Sequence, residues 1–195
     1  MLPYLRTPVV QHWCLLHELA CAVPANVTVV SYPLAPHSPA AQSIPHLAKL
    51  YYTIMQESKD KNEEVIFMGD SAGGNIVLCL PLYVAHKDDQ AADCRIINPE
   101  IKPLAEYDPF LTYEYIQEVA GLWAKGLDRG DPMVSPLLAD FAPFKKNNVI
   151  LDGNYGTWDL LAPDDKLLME KAKKEGLEGS WLIGEEQMHV YPLTW

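Results

Sequence analysis

A short apolar run that ends in a glycine-rich turn places the strongest constraint on this fold. Residues 65–68 are Val-Ile-Phe-Met, residues 69–74 are Gly-Asp-Ser-Ala-Gly-Gly, and residues 75–86 are apolar almost throughout. An apolar run of this length, bounded by glycines and followed by a longer apolar segment, predicts a buried strand, a tight turn and a buried helix.

The same alternation of strand and helix patterns extends through most of the chain. Apolar spacing predicts helices at 11–23, 44–55, 113–125 and 163–175, the last ending at Gly176, and strands at 27–32, 149–153 and 180–184, with a shorter stub at 94–98. Alternating strands and helices imply an α/β fold, with a mainly parallel sheet and helices on both faces. The length of 195 residues favours a single domain, 1–195. Within it, helix 113–125 is either part of a small cap element around 103–129 or a plain amphipathic surface helix.

Composition and charge argue against several classes of partner. The formal net charge is −11 and the fifteen Lys and Arg residues are scattered, so nucleic acid is not an expected partner. No apolar run is long enough to span a bilayer. The first residues lack the features of a secretory leader, and the four cysteines, which have no CxxC spacing, are predicted to be reduced core thiols. These features together predict a cytoplasmic protein.

The serine of the glycine-rich turn is a candidate nucleophile. A serine hydroxyl needs a neighbouring base and a group that stabilises an oxyanion, and a strand-to-helix elbow exposes the hydroxyl to both. Gly69 and Gly73, two positions either side of Ser71, allow the tight turn, and the N–H of Ala72 at the start of the helix can donate to an oxyanion. A turn that merely connects two elements is the alternative. The setting between a strand and a helix favours a nucleophile elbow made of Gly69, Asp70, Gly73 and Gly74 around Ser71.

Several motifs together resemble the hormone-sensitive-lipase-like branch of the α/β-hydrolases, which includes bacterial acetyl esterases. They are Tyr-Pro-Leu-Ala-Pro at 32–36, Gly-Asp-Ser-Ala-Gly-Gly-Asn at 69–75, Asp-Pro-Met-Val-Ser-Pro at 131–136, Gly-Thr-Trp-Asp-Leu-Leu at 156–161 and Met-His-Val-Tyr-Pro-Leu at 188–193. The resemblance implies an α/β-hydrolase fold with Ser71 as nucleophile, Asp159 as acid and His189 as base. It also implies hydrolysis of short-chain acyl esters, as small-molecule substrates, through an acyl-serine intermediate, with no cofactor and no metal.

The order of the predicted elements agrees with these assignments but leaves the acid less sharply defined. Asp159 and His189 each follow a predicted strand by a short loop, so both should project from the sheet edge that carries Ser71. His189 is the one histidine late enough in the chain for the Ser, Asp, His order of this fold. Nearby carboxylates compete for the acid role, namely Asp152, Asp164 and Asp165.

The chain departs from the branch at two places. Members carry a His-Gly-Gly-Gly type loop that supplies further oxyanion donors, whereas residues 1–10 here contain no glycine. Where relatives have an apolar central strand, only Cys-Arg-Ile-Ile at 94–97 remains, so the fold is expected to be N-terminally shortened and to lack a central strand. Exposed sheet edges would then favour self-association into a homo-oligomer.

These departures leave other functions open beside ester hydrolysis. A catalytically impaired or non-catalytic relative, either a truncated gene product or a ligand-binding protein, is the main alternative. Cleavage of a peptide, lactone or thioester by the same triad is another, because a triad does not choose among acyl donors.

Overall fold

A computed structural model describes residues 8–85 and 98–194 of the chain. Its helices are α1 Val10–Ala22, α2 Ala40–Lys61, α3 Ala72–Ala85, α4 Ile101–Leu104, α5 Tyr113–Trp123, α6 Ala142–Lys146 and α7 Ala162–Glu175. Its strands are β1 Gly153–Gly156 and β2 Trp181–Gly184, and short 3-10 helices span Pro136–Leu138 and Tyr191–Leu193.

The long helices form where apolar spacing predicts them. Helices α1, α3, α5 and α7 begin and end within three residues of their predicted bounds, and α2 extends the predicted segment in both directions. Gly176 ends α7 in the left-handed conformation, with φ of 71°, which a residue without a Cβ adopts at no steric cost. Helix prediction succeeds here because the pattern and the end signals are local.

The sheet of the described residues is a parallel pair, β1 and β2, with α7 as the crossover between them. Gly153 lies opposite Trp181 and Gly156 opposite Gly184, so the paired strands end together. The predicted strand at 180–184 is confirmed. The one predicted at 149–153 begins later, because Ile150 forms only an isolated bridge with Glu178 before the continuous pairing starts.

The predictions of strands at 27–32 and 65–68 are wrong within the described residues, because neither segment belongs to a sheet. In the second segment, the side chains of Ile66 and Met68 are 86% and 64% exposed. A strand exists only through hydrogen bonds to a neighbour, and the described parts of the chain place none beside these segments. The stub predicted at 94–98 falls outside the described residues apart from Asn98.

The main core lies between α2, α3 and α5. Ile44 of α2 and Cys79 of α3 are fully buried, and Trp123 at the end of α5 is 1% exposed among them. Helix α5 is therefore anchored to the core by one face, while its part in a cap stays a prediction. A second cluster forms around Phe141 and Phe144.

The expectation of core thiols holds for one of the three cysteines that the structure describes. Cys79 is a buried free thiol whose pKa is raised well above the usual value by burial and by the nearby Asp131. Cys14 and Cys21 are exposed, because no residue of α1 is buried. In the described ranges, no helix combines the length and apolar character needed to cross a membrane.

Candidate active site

Ser71 occupies a strained turn directly before α3. Its φ is +51°, a left-handed conformation that residues with a side chain rarely adopt. The turn is closed by a 2.7 Å hydrogen bond from the Gly73 N–H to the Asp70 carbonyl oxygen. Such strain at a serine directly before a helix is typical of a nucleophile elbow.

The elbow glycines contribute to the turn unequally. A Cβ on Gly69 would lie 2.5 Å from the carbonyl oxygen of Gly73 and 2.8 Å from the nitrogen of Gly74. A Cβ on Gly74 would lie 3.2 Å from the Gly69 oxygen, whereas one on Gly73 would meet nothing within 4 Å. The close backbone approach therefore depends on Gly69 first and Gly74 second, while Gly73 faces open space.

Asp159 and His189 lie on the two loops that follow the paired strands. Backbone hydrogen bonds join these loops, from Thr157 N–H to the Gly184 oxygen at 2.9 Å and from Trp158 N–H to the Gln187 oxygen at 3.0 Å. At Gly156 the loops approach so closely that an added Cβ would overlap the backbone of Gln187. This requirement for glycine cannot be inferred from the sequence, because the two loops meet only in the folded chain.

The structure brings the three sequence-predicted residues into one hydrogen-bonded chain. The Oγ of Ser71 lies 2.9 Å from Nε2 of His189, and Nδ1 of His189 lies 2.9 Å from Oδ2 of Asp159. His189 and Asp159 are 6% and 3% exposed. An ionised carboxylate can only accept, so Nδ1 carries the proton and Nε2 is free to accept from the serine hydroxyl.

The other oxygen of Asp159 accepts from the Leu161 N–H at 2.8 Å, which fixes the carboxylate on its loop. Of the competing carboxylates, Asp152 is exposed and accepts from the Ser180 N–H, and Asp164 accepts from the side chain of Asn98. Neither of them is hydrogen-bonded to His189.

Charges around His189 shift its titration. Burial alone would lower the pKa of His189, but the hydrogen bond and charge of Asp159, with smaller contributions from Asp108 and Asp165, raise it above the usual value. Burial, together with the nearby Asp159 carboxylate, raises the pKa of Asp165 to about 8. Asp165 is therefore largely protonated at neutral pH, so its contribution to the pKa of His189 is small there.

Asp70 and Ala72, the neighbours of Ser71, differ in their contacts. Asp70 receives a 3.3 Å hydrogen bond from Nε2 of His12, whose Nδ1 accepts the N–H of Val9. The α1 helix is thereby tied to the elbow. Among the hydrogen bonds of residues 8–85 and 98–194, none engages the N–H of Ala72 at the start of α3.

Asp108 is a buried carboxylate of the site that the sequence reasoning missed. It is 6% exposed, and its Oδ2 accepts the N–H of Leu160, the residue after Asp159, at 2.9 Å. The sequence signal is weak, because an Asp-Pro pair ahead of a helix is also typical of an ordinary turn.

A metal ion is a poor fit to this cluster. One carboxylate oxygen each of Asp108 and Asp159 and a ring nitrogen of His189 lie within 4.8 Å of one another. Both Asp108 oxygens, however, already accept backbone N–H groups, and the Asp159 oxygens are bound to His189 and to a backbone N–H. The oxygen atoms that could bind a metal ion are thus already engaged in hydrogen bonds within the protein.

A cavity of about 300 Å³ lies beside the acid and base loops. Its walls come from residues next to Asp108, Asp159 and His189 in the chain, and they are Tyr107, Pro109, Trp158, Glu186, Gln187 and Met188. The ring centroids of Tyr107 and Trp158, two of these residues, lie 6.0 Å apart.

Comparison with known proteins assigns the family. Residues 4–193 match the family described as alpha/beta hydrolase fold. The chain belongs to this family. The predicted fold class is thereby confirmed, even though the described part of the sheet has only two strands.

Two curated relatives and one solved structure illustrate the similarity. An esterase of Acinetobacter venetianus is 26% identical over 84% of this chain and 56% of its own length. A triacylglycerol lipase of Mycobacterium tuberculosis is 27% identical over 97% of this chain and 40% of its own length. The crystal structure of EstE5, soaked by ethyl alcohol, superposes with a TM-score of 0.79 at 24% identity, over 98% of this chain and 67% of that one. The chain thus spans about half the length of the curated relatives or less.

Proposed function

We propose that this chain is a serine carboxylic-ester hydrolase of the hormone-sensitive-lipase-like branch that acts on short-chain acyl esters. The observation that carries the proposal is the continuous hydrogen-bonded chain from Ser71 through His189 to Asp159. A buried carboxylate, an imidazole oriented by it and a strained, half-buried serine together form the arrangement that activates a hydroxyl for acyl transfer.

In the proposed reaction, Ser71 Oγ attacks the ester carbonyl carbon while Nε2 of His189 takes its proton. The tetrahedral intermediate collapses when the imidazolium returns this proton to the leaving alkoxide, which leaves an acyl group on Ser71. Water, deprotonated by His189, then attacks the acyl carbon, and the imidazolium returns the proton to Ser71 Oγ as the acyl–oxygen bond breaks and the acid is released. Asp159 holds the ring orientation and stabilises the imidazolium in both steps.

Oxyanion stabilisation in this proposal begins with the backbone N–H of Ala72. It lies at the first residue of a 14-residue helix, where the helix dipole favours negative charge, and the described hydrogen bonds leave it available. The loss of one oxyanion donor typically costs about 10²- to 10³-fold in turnover. An N–H donor at this position is therefore expected to contribute strongly to the rate of the proposed reaction.

The substrate class rests on similarity and on the setting of the site. The named relatives are an esterase and a triacylglycerol lipase, so both act on esters by name. The cavity beside the acid and base loops, with its aromatic walls, is large enough for a small acyl or alcohol group.

The test compares hydrolysis of p-nitrophenyl acetate by the wild-type chain, Ser71→Ala and Ser180→Ala. Ser180 is an exposed serine directly before β2, at the opposite end of that strand from the loop that carries His189, and serves as the matched control. We expect the Ser71→Ala rate to fall to the background, and a fluorophosphonate probe to label wild type and Ser180→Ala but not Ser71→Ala. Equal rates for all three proteins, with no label on Ser71, would refute the enzyme and favour a non-catalytic relative that binds a ligand.

A further inference from the structure

Asp108 joins two segments that are far apart in the sequence. Its Oδ1 accepts the N–H groups of Phe110 at 2.8 Å and Leu111 at 3.0 Å, which forms the turn before α5. Its Oδ2 accepts the N–H of Leu160 at 2.9 Å. One buried carboxylate therefore connects the segment ahead of α5 to the loop that carries Asp159.

The same carboxylate also faces the candidate base. Asp108, Asp159 and His189 each place a polar atom within 4.8 Å of the others. The charged and titratable groups that act on His189 are Asp159, Asp108 and Asp165, and the charge of Asp108 contributes to raising the pKa of His189. Of Asp108 and Asp165, Asp108 is the one that shares the 4.8 Å cluster with Asp159 and His189.

We propose that Asp108 is a positioning residue that fixes the Asp159 loop through Leu160 and stabilises the His189 imidazolium as a second buried carboxylate. This inference rests on the proposed ester hydrolysis. Asp159 makes the direct contact with the ring, while Asp108 acts on the loop geometry and on the electrostatic field around the base.

The substitution Asp108→Asn separates these effects from a change of shape. The amide has nearly the same size, but it lacks the charge and has only one acceptor oxygen for three backbone donors. Because the variant loses the charge and part of the backbone contacts of Asp108, we expect kcat for p-nitrophenyl acetate to fall about 10- to 100-fold with little change in KM. We also expect the acidic limb of the pH–rate profile to move to lower pH.

The matched control is Asp152→Asn. Asp152 likewise accepts a backbone N–H from a distant segment, that of Ser180 at 2.7 Å, but it is exposed and does not contribute to the shift of His189. This variant should keep the wild-type pH profile. Should Asp108→Asn fail to fold, Asp108→Ser is the second variant, because a hydroxyl can still cap the turn before α5 while the charge and the contact to Leu160 are lost.

An NMR titration of the His189 ring measures the electrostatic effect without turnover. The pKa of His189 should be lower in Asp108→Asn or Asp108→Ser than in wild type. An unchanged His189 pKa, or a loss of kcat with no shift of the acidic limb, would overturn the proposal for Asp108. An inactive wild type in which the His189 pKa still depends on Asp108 would instead refute the proposed hydrolysis and leave the electrostatic role intact.

Discussion

The contrast between Gly69 and Gly73 offers a direct test of the elbow geometry. A Cβ on Gly69 would lie 2.5 Å from the carbonyl oxygen of Gly73, whereas the favourable separation of such atoms is about 3.5 Å, so the overlap is about 1 Å. The three atoms nearest to the new methyl group all belong to the backbone of Gly73 and Gly74, and none of them can rotate away as a side chain would. Gly69→Ala must therefore open the turn around Ser71.

Overpacking of this kind costs about 1–3 kcal/mol, and at about 2–4 °C per kcal/mol for a chain of this size the melting temperature should fall by roughly 2–12 °C. Opening the turn also moves Ser71 Oγ away from Nε2 of His189, which now lies 2.9 Å from it. Gly69→Ala should accordingly react more slowly with a fluorophosphonate probe.

Thermal unfolding followed by circular dichroism checks the stability, and the labelling rate checks the site. Gly73→Ala is the control for stability, because its Cβ would meet nothing within 4 Å. It should melt close to the wild-type temperature. If Gly69→Ala melted and reacted like wild type, or if both alanine variants were destabilised equally, the steric account of the elbow would be wrong.

Two further predictions concern pH and self-association. The folded-state pKa of Asp165 is about 8, above its usual value of 3.8, so its contribution to stability is lost as the pH rises from about 4 towards 8. Asp165→Asn should therefore unfold at a higher temperature than wild type at pH 8 but not at pH 4. The same difference in melting temperature at both pH values would contradict the raised pKa of Asp165. Ile66 is 86% exposed, so Ile66→Lys should reduce any self-association seen by sedimentation, whereas a monodisperse wild-type monomer would contradict homo-oligomer formation through this segment.

The helices and the order of the site residues could be predicted from the sequence because their signals are local. Helical spacing and a terminal glycine predict α7 and its end at Gly176 without knowledge of the rest of the fold. The strands could not be predicted as well. The apolar run at 65–68 has a strand pattern, but strand formation depends on a neighbour that only the tertiary structure can supply.

The candidate site shows the same division between local and tertiary information. The sequence by itself determined the elbow around Ser71 and the presence of Asp159 and His189 after predicted strands. Only the tertiary structure decided that Asp159, rather than Asp152 or another nearby carboxylate, is hydrogen-bonded to His189. It also brought Asp108 from 52 positions away to the N–H of Leu160. Such contacts depend on how distant loops meet when the core packs, and no local sequence pattern specifies that arrangement.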